Sequence, residues 1–283
     1  MVRSDEVSIA TLNFESHYLK SNHEITVILP NKPRHLTAKS YYESGKKYKV
    51  LWLLHGTYGD HTDWLRRTNI ELYACEKDLI VVMPSALNSN YSNWDSSMMG
   101  FGMYDYLTEE LMPIIYNWFP ASDKREDNFI AGLSMGGRGT IKYAVNHPER
   151  FAAAAVLSAA PVEYSKLTEE DLQQDDMFTQ RLRSMVDNAG GLDRFIHSEE
   201  NVWSIMDSLA GSGRLPKLLF ACGTADTMIY ENLKLFRDHA EKTGIPAEYW
   251  TLEGYGHEWR FWDLAIQKAL EFFRLEDSGA SPY

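Results

Sequence analysis

The sequence predicts an α/β fold, a mostly parallel central sheet with helices on both faces. Two observations carry the prediction. Short apolar runs at residues 48–54, 79–83, 128–131, 152–157, 218–221 and 247–252 read as strands, the first nearly all apolar, as a strand buried on both sides would be. Segments of helical period alternate with them, at 104–118, 135–146, 231–242 and 258–273. Repeated βα units with right-handed crossovers build a parallel sheet.

Each element has a local reason. Residues 7–14 and 24–29 alternate or cluster β-branched side chains, and Pro30-Asn31-Lys32-Pro33 closes the second. Pro84 is read as the stop of the strand at 79–83, and Gly244 as the stop of the helix at 231–242. The rhythm breaks over 162–215, which has helical material and no convincing strand. This insertion opens on Glu163, Glu169, Glu170, Asp171, Asp175 and Asp176. It reads as a solvated helical insertion, as a cap over a site at the carboxyl ends of the strands, or as both. The chain is read as one domain over 1–283, with 278–283 as a frayed tail.

Composition narrows the function. Of 283 residues, 44% are hydrophobic and 24% charged, which is globular usage and excludes a disordered or fibrous protein. Lys+Arg 28 against Asp+Glu 40 gives a net charge of −12, which repels phosphate backbones and anionic lipid, so no nucleic-acid or membrane partner is expected. No apolar run approaches the length of a spanning helix. The start, Met1-Val2-Arg3-Ser4-Asp5-Glu6, lacks the apolar core of a secretory signal, and cytosol is the expected location. Cys75 and Cys222 are the only cysteines and read as reduced core thiols.

The chemistry concentrates at Gly132-Leu133-Ser134-Met135-Gly136, followed by Gly137, between a strand and a helix. In that context the pattern describes a nucleophile elbow, a sharp turn that lifts a serine hydroxyl above the sheet. Flanking glycines let strand and helix backbones approach, and the helix N-terminus favours developing negative charge. A serine needs a base, and His257 follows the last strand on Gly254-Tyr255-Gly256. The imidazole needs an acid, and Asp226 follows the strand at 218–221 on Cys222-Gly223-Thr224-Ala225, with Asp193 and Asp238 as weaker rivals. The backbone N–H groups of Met135 and Thr57 are the candidate oxyanion donors, Thr57 lying on the loop His55-Gly56-Thr57-Tyr58-Gly59. His55 reads as a support of that loop. His55, His61, Asp60 and Asp63 lack a recognised metal-ligand spacing, so no metal is expected.

Leu53-Leu54-His55-Gly56, Asp63-Trp64-Leu65-Arg66-Arg67-Thr68-Asn69, Gly132-Leu133-Ser134-Met135-Gly136-Gly137 and Gly256-His257-Glu258-Trp259 resemble the tributyrin esterases. These belong to the esterase D group, with S-formylglutathione hydrolases, feruloyl and acetylxylan esterases and the antigen 85 mycolyltransferases. The resemblance spans nearly the whole chain and is weakest across the insertion. It implies an α/β-hydrolase fold and a serine carboxylesterase for short acyl chains, without a cofactor. Its triad falls on Ser134, Asp226 and His257, and its oxyanion donors on Thr57 and Met135. The family often has a larger apolar residue where Thr57 stands, which implies a more polar pocket wall here. S-formylglutathione hydrolases differ in the loop around the oxyanion strand, which argues against that activity.

Trp64, Trp94, Tyr104, Tyr230 and Trp259 follow strands on loops or helix starts and are the candidate substrate contacts. Together they also suit stacking on a sugar or phenolic ring, so a carbohydrate esterase for feruloylated or acetylated xylan is the alternative, with acyl transfer behind it. The expected partner is a small-molecule or oligosaccharide ester. Helices bearing aromatic side chains also leave a homo-oligomer open.

Overall fold

The structure, a computed structural model, describes residues 7–33, 35–96 and 99–277. The expected tail at 278–283 and the N-terminal residues 1–6 lie outside the described residues. Among the described residues, ten strands and eleven α-helices follow in chain order, as β1 (Val7–Ser16), β2 (Ser21–Pro30), α1 (Ala38–Tyr42), β3 (Val50–Leu54), α2 (Asp63–Arg67), α3 (Ile70–Lys77), β4 (Ile80–Pro84), β5 (Asn93–Trp94) and β6 (Phe101–Gly102). There follow α4 (Met103–Asp105), α5 (Met112–Trp118), β7 (Asn128–Leu133), α6 (Met135–Asn146), β8 (Ala153–Leu157), α7 (Met177–Asn188), α8 (Leu192–Ile196) and α9 (Val202–Leu209). The chain closes with β9 (Lys217–Gly223), α10 (Tyr230–Thr243), β10 (Glu248–Leu252) and α11 (Trp259–Phe272).

Eight strands form one sheet in the order β1-β2-β4-β3-β7-β8-β9-β10. The β1–β2 hairpin is antiparallel and joins β4 antiparallel, and from β4 to β10 every pair is parallel. Register then lines up the strand ends: Leu54 pairs with Gly132, Leu133 with Leu157, Leu157 with Ala221, and Leu252 with Gly223. The loops after β3, β7, β9 and β10 therefore leave the same edge of the sheet, the edge at which parallel α/β sheets bind ligands.

The fully buried β3 and β7 alternate between two apolar layers. Val50, Trp52, Leu54 and Ile130 pack under α4, α5, α6, α9 and α10. Leu51, Leu53, Phe129 and Leu133 face α2, α3 and α11. At about 25 cal/mol per Å² of apolar area, these layers supply the main driving force for the fold.

Several elements depart from the sequence reading. The helix expected over 104–118 is α4 and α5 joined through a π-helical segment, Tyr106–Leu111, and the Met112 N–H reaches five residues back to the Leu107 carbonyl. Pro113, at the start of α5, has no N–H to continue an α-helical ladder. Pro84 is the last residue of β4 rather than its stop, because it pairs with Ile25 beyond the last β3 pair, Trp52–Val82. Helices α1, α2 and α3 were not expected. α1 and α2 have five residues each and α3 has eight, too few for a clear period. Cys222 is buried as expected, but Cys75 is half-buried.

The segment 162–215 holds α7, α8 and α9 with 3-10 turns and, among the described residues, no strand. It has a small apolar nucleus of its own: Tyr164, Leu172, Met185, Val186 and Phe195. Asp176 caps α7 through the N–H groups of Phe178 and Thr179. A buried ion pair, Lys142 Nζ to Glu200 Oε1 at 2.7 Å, ties the insertion to α6.

At Gly136 helix α6 meets backbone that cannot move aside: an added Cβ would lie 2.5 Å from the Leu54 carbonyl oxygen and 2.6 Å from that of His55. Gly136→Ala should therefore destabilise the protein by about 1–3 kcal/mol, the usual cost of overpacking against atoms that cannot move aside. Urea unfolding would measure this, and a change within about 0.5 kcal/mol, typical of an unconstrained surface site, would contradict it.

Candidate active site

Ser134 joins β7 to α6 with φ 53° and ψ −115°, a strained conformation for a residue with a side chain. Its N–H donates to Leu157 O at 2.8 Å, and its carbonyl accepts the Arg138 N–H at 3.0 Å. Ser134 thus stays on the turn while α6 starts behind it. The five-residue motif is a mechanical device, because a Cβ at Gly132 would lie 2.5 Å from the Gly136 carbonyl oxygen.

The expected partners meet there. His257 Nε2 lies 2.9 Å from Ser134 Oγ, and His257 Nδ1 lies 2.8 Å from Asp226 Oδ2. The two loops that carry the base and the acid are laced together. Ala225 N–H donates to Tyr255 O at 2.9 Å, Thr224 N–H to Leu252 O at 3.0 Å, and Gly254 N–H to Thr224 Oγ1 at 3.1 Å. The rivals stand elsewhere: Asp193 and Asp238 are exposed on α8 and α10.

Asp226 is 1% exposed. Burial alone would raise its carboxyl, but hydrogen bonds from His257, the Met228 N–H and Ser158 outweigh it and hold the group below the ordinary carboxylate value. An ionised Asp226 fixes the proton of His257 on Nδ1, leaving Nε2 to accept from Ser134. The neighbouring Cys222 thiol donates to Gly223 O at 3.4 Å, and burial, then the Asp226 charge, pushes it up to about 12, so it stays protonated.

Two supporting residues escaped the sequence reading. Ser158, at φ 46°, follows β8 and accepts the Trp262 indole N–H at 3.0 Å while hydrogen-bonding Asp226. The Trp262 ring stands edge-on to His257, with centroids 5.0 Å apart. Ser158 had a signal, as a polar residue inside the apolar run 151–161, whereas Trp262 looked like one more apolar position on a helix.

The loop after β3 packs against the elbow: a Cβ at Gly56 would lie 3.5 Å from Ser134 Cβ. His55 holds this loop as expected, its Nδ1–H donating to Gly56 O at 2.7 Å and its Nε2 accepting the Ala86 N–H at 2.8 Å. The Tyr58 N–H is taken by Asn88 Oδ1 at 2.9 Å. Met135 is the first residue of α6, so its N–H has no partner within the helix. Met135 and Thr57 thus flank Ser134 from the helix side and the loop side.

The expected substrate contacts scatter. Trp64 is 1% exposed, donates Nε1–H to Leu54 O at 3.2 Å and stacks edge-on against Trp259, so it is a packing residue. Trp259 is half-buried on the other side of that pair, with the Arg67 guanidinium over its ring. Tyr104 is buried, stacked on Tyr143 and hydrogen-bonded to His147 at 3.0 Å, which leaves no face for a ligand. Trp94 donates to Ser89 O at 2.8 Å and packs on the insertion's nucleus. Tyr230 starts α10, half-buried, with Lys234 over its ring. Spacing after a strand located the right sheet edge but not the direction of these rings. A contact that sequence reasoning missed comes from the insertion: Arg181 of α7 donates from Nη1 to Thr57 Oγ1 at 3.0 Å.

A family model described as "Putative esterase" matches residues 16–273. The chain belongs to that esterase family. It is 31% identical over 269 residues to an acetyl esterase of Caldicellulosiruptor saccharolyticus, covering 94% of this chain and 98% of the relative. Two solved Staphylococcus aureus structures are similar to it. The fluorophosphonate-binding serine hydrolase FphF has 32% identity and TM-score 0.76 over 95% of this chain and 98% of that one. An S-formylglutathione hydrolase has 33% identity and TM-score 0.76 over 94% and 98%. The protein is accordingly a carboxylic ester hydrolase with the α/β-hydrolase fold. Among the described residues no helix is long and apolar enough to cross a membrane.

Burial holds the His55 and His23 imidazoles below their ordinary value of 6.5, His55 against the pull of its bond to Gly56. The unfolded chain takes up these protons first as pH falls. Their contribution to stability is therefore full above about pH 6.5 and lost below it. Melting temperature should drop between pH 7 and pH 5, and less steeply in His55→Asn, whose amide can still donate to Gly56 O. Equal slopes in the two proteins would refute this assignment.

Proposed function

We propose that this esterase hydrolyses short-chain acyl esters through Ser134, His257 and Asp226, by way of an acyl-enzyme. The observation that carries the reading is the continuous hydrogen-bonded line from Ser134 Oγ through the imidazole to Asp226, at 2.9 and 2.8 Å. Ser134 Oγ attacks the ester carbonyl as His257 Nε2 takes its proton. The N–H groups of Met135 and Thr57 receive the oxyanion of the tetrahedral intermediate. Collapse of that intermediate expels the alcohol, which takes its proton from His257. Water, deprotonated by the same imidazole, then attacks the acyl-enzyme, and the acid leaves as Ser134 recovers its proton.

A short acyl chain is supported by the acetyl esterase likeness and by the insertion lying against the Thr57 loop. The alternative, an esterase for feruloylated or acetylated xylan, loses part of its support, because Trp64 and Tyr104 are committed to packing.

Hydrolysis of 4-nitrophenyl esters from acetate to laurate, beside methyl ferulate, acetylated xylan and S-formylglutathione, tests the reading. A maximum at two to four carbons is expected. A maximum on ferulate, xylan or the thioester would overturn the short-acyl assignment. Ser134→Ala should lower kcat by about 10⁴-fold or more, and Asp226→Asn by about 10³–10⁴-fold through loss of the correct tautomer. Ester turnover persisting in Ser134→Ala would exclude this serine as the nucleophile.

A further inference from the structure

Two guanidinium groups border the proposed site, and among the described residues neither forms an ion pair with a carboxylate. Arg181, on α7, donates Nη1–H to Thr57 Oγ1, and its Nη2 is buried with no hydrogen-bond partner among the described residues. Burial, then the nearby Arg138 charge, pushes the Arg181 guanidinium down to about 10, while the groups that pull it back up are the Tyr164 and Tyr58 phenols. Arg138 lies one helical turn behind Ser134 on α6, its N–H bonded to the Ser134 carbonyl, and lines a pocket with Pro161, Val162, Tyr164 and Glu200, whose carboxylate is taken by Lys142. The buried Tyr164 feels both arginines, with Glu200 acting against them.

This arrangement is costly for the protein by itself. Two like charges are close together, one is largely desolvated, and one of its donors is unmet. The deficit stands out in a chain with Asp+Glu 40 against Lys+Arg 28, where several other buried or half-buried cations have found partners. Lys142 pairs with Glu200, Arg150 with Glu109, and Arg183 donates to the carbonyls of Leu172 and Gln174. A planar anion with two acceptor oxygens would take up the free Nη2–H and offset both charges, and a carboxylate fits a guanidinium fork in that way.

We propose that Arg181 and Arg138 form a subsite for a carboxylate carried by the substrate, so that the preferred ester is anionic, bearing a carboxylate on its acyl or its alcohol portion. This rests on the serine-esterase reading above and specifies its substrate class. Arg181 hydrogen-bonds the side chain of Thr57, whose N–H is the proposed oxyanion donor, so a carboxylate bound there sits against the loop that would receive the reacting carbonyl.

Paired substrates test it: 4-acetoxybenzoate against methyl 4-acetoxybenzoate for the alcohol side, and monomethyl succinate against dimethyl succinate for the acyl side. In each pair the ratio of kcat/KM, charged over neutral, is compared between the native protein, Arg181→Gln and Arg181→Lys. A hydrogen-bonded charge pair corresponds to about ten- to hundred-fold in that ratio. The ratio should fall by this much in Arg181→Gln for one pair, which identifies the charged side, and by less in Arg181→Lys, which keeps the charge and loses the fork. A merely structural role for Arg181 would lower charged and neutral esters together and leave both ratios unmoved, which overturns the proposal. Should the variants fail to fold, the native protein still decides. Benzoate should inhibit hydrolysis of 4-nitrophenyl acetate competitively and benzamide at the same concentration should not, whereas equal inhibition or none by both overturns the subsite. Failure of the underlying reading looks different, as neutral esters would then go unhydrolysed or be turned over by Ser134→Ala.

Discussion

Helix α6 starts nearer to the sheet than any side chain permits, and the site depends on that approach. The Gly136 backbone lies against the Leu54 and His55 carbonyls, and Gly132 lies under Gly136. With both positions bare, the chain can turn from β7 into α6 within one residue. That residue, Ser134, takes up the strain in its left-handed backbone. The N–H of Ser134 is spent on Leu157 O, so the turn is anchored to the neighbouring strand as well. A serine held this way loses little further freedom when a substrate arrives, which is how stored backbone strain becomes preorganisation.

The acid and base obey a different constraint. They lie at 226 and 257, on loops brought together because β9 and β10 are parallel neighbours in register at Gly223 and Leu252. Close approach recurs here, since a Cβ at Gly223 would come within 2.1 Å of the Tyr255 carbonyl oxygen. A buried carboxylate costs several kcal/mol unless it is bonded. Asp226 is bonded by His257, by the Met228 N–H and by Ser158, and Ser158 is itself bound by Trp262. Orientation of the imidazole therefore reaches back through Ser158 and Trp262 into the packing of α11.

Much of this was legible in the sequence, for physical reasons that differ by element. Buried parallel strands must be apolar on both faces, so β3, β7 and β8 stood out, and α6 had the expected bounds of 135–146 because the elbow fixes its start. Ser134 stood out by its glycine motif between a strand and a helix, and Asp226 and His257 by the loops they occupy after later strands. Legibility stopped where a side chain's direction matters. Trp64 and Tyr104 occupy the right edge of the sheet but turn inward to Leu54 O and His147. The π-helical turn before Pro113 and the short α1 and α2 also left no periodic trace, since each is set by local hydrogen bonding over a handful of residues.

The insertion was the least readable segment, and its charges explain why. An acidic opening run suggested a solvated face, and Asp171 and Asp176 do spend their carboxylates locally, on Thr168 and on the α7 N-terminus. Those caps fix where α7 begins and thereby which of its faces meets the body of the protein. Arg181 and Met185 lie four residues apart on that face: Met185 meets Asn90 while Arg181 meets Thr57. An arginine in an acidic insertion read in isolation would be assigned to a surface ion pair. Because Asp171 and Asp176 are spent locally and α7 is docked by Met185, the guanidinium is instead delivered, without an ion pair among the described residues, to the loop beside Ser134. Charge balance along a sequence thus says little about charge balance at a site, since the fold decides which opposite charges remain within reach.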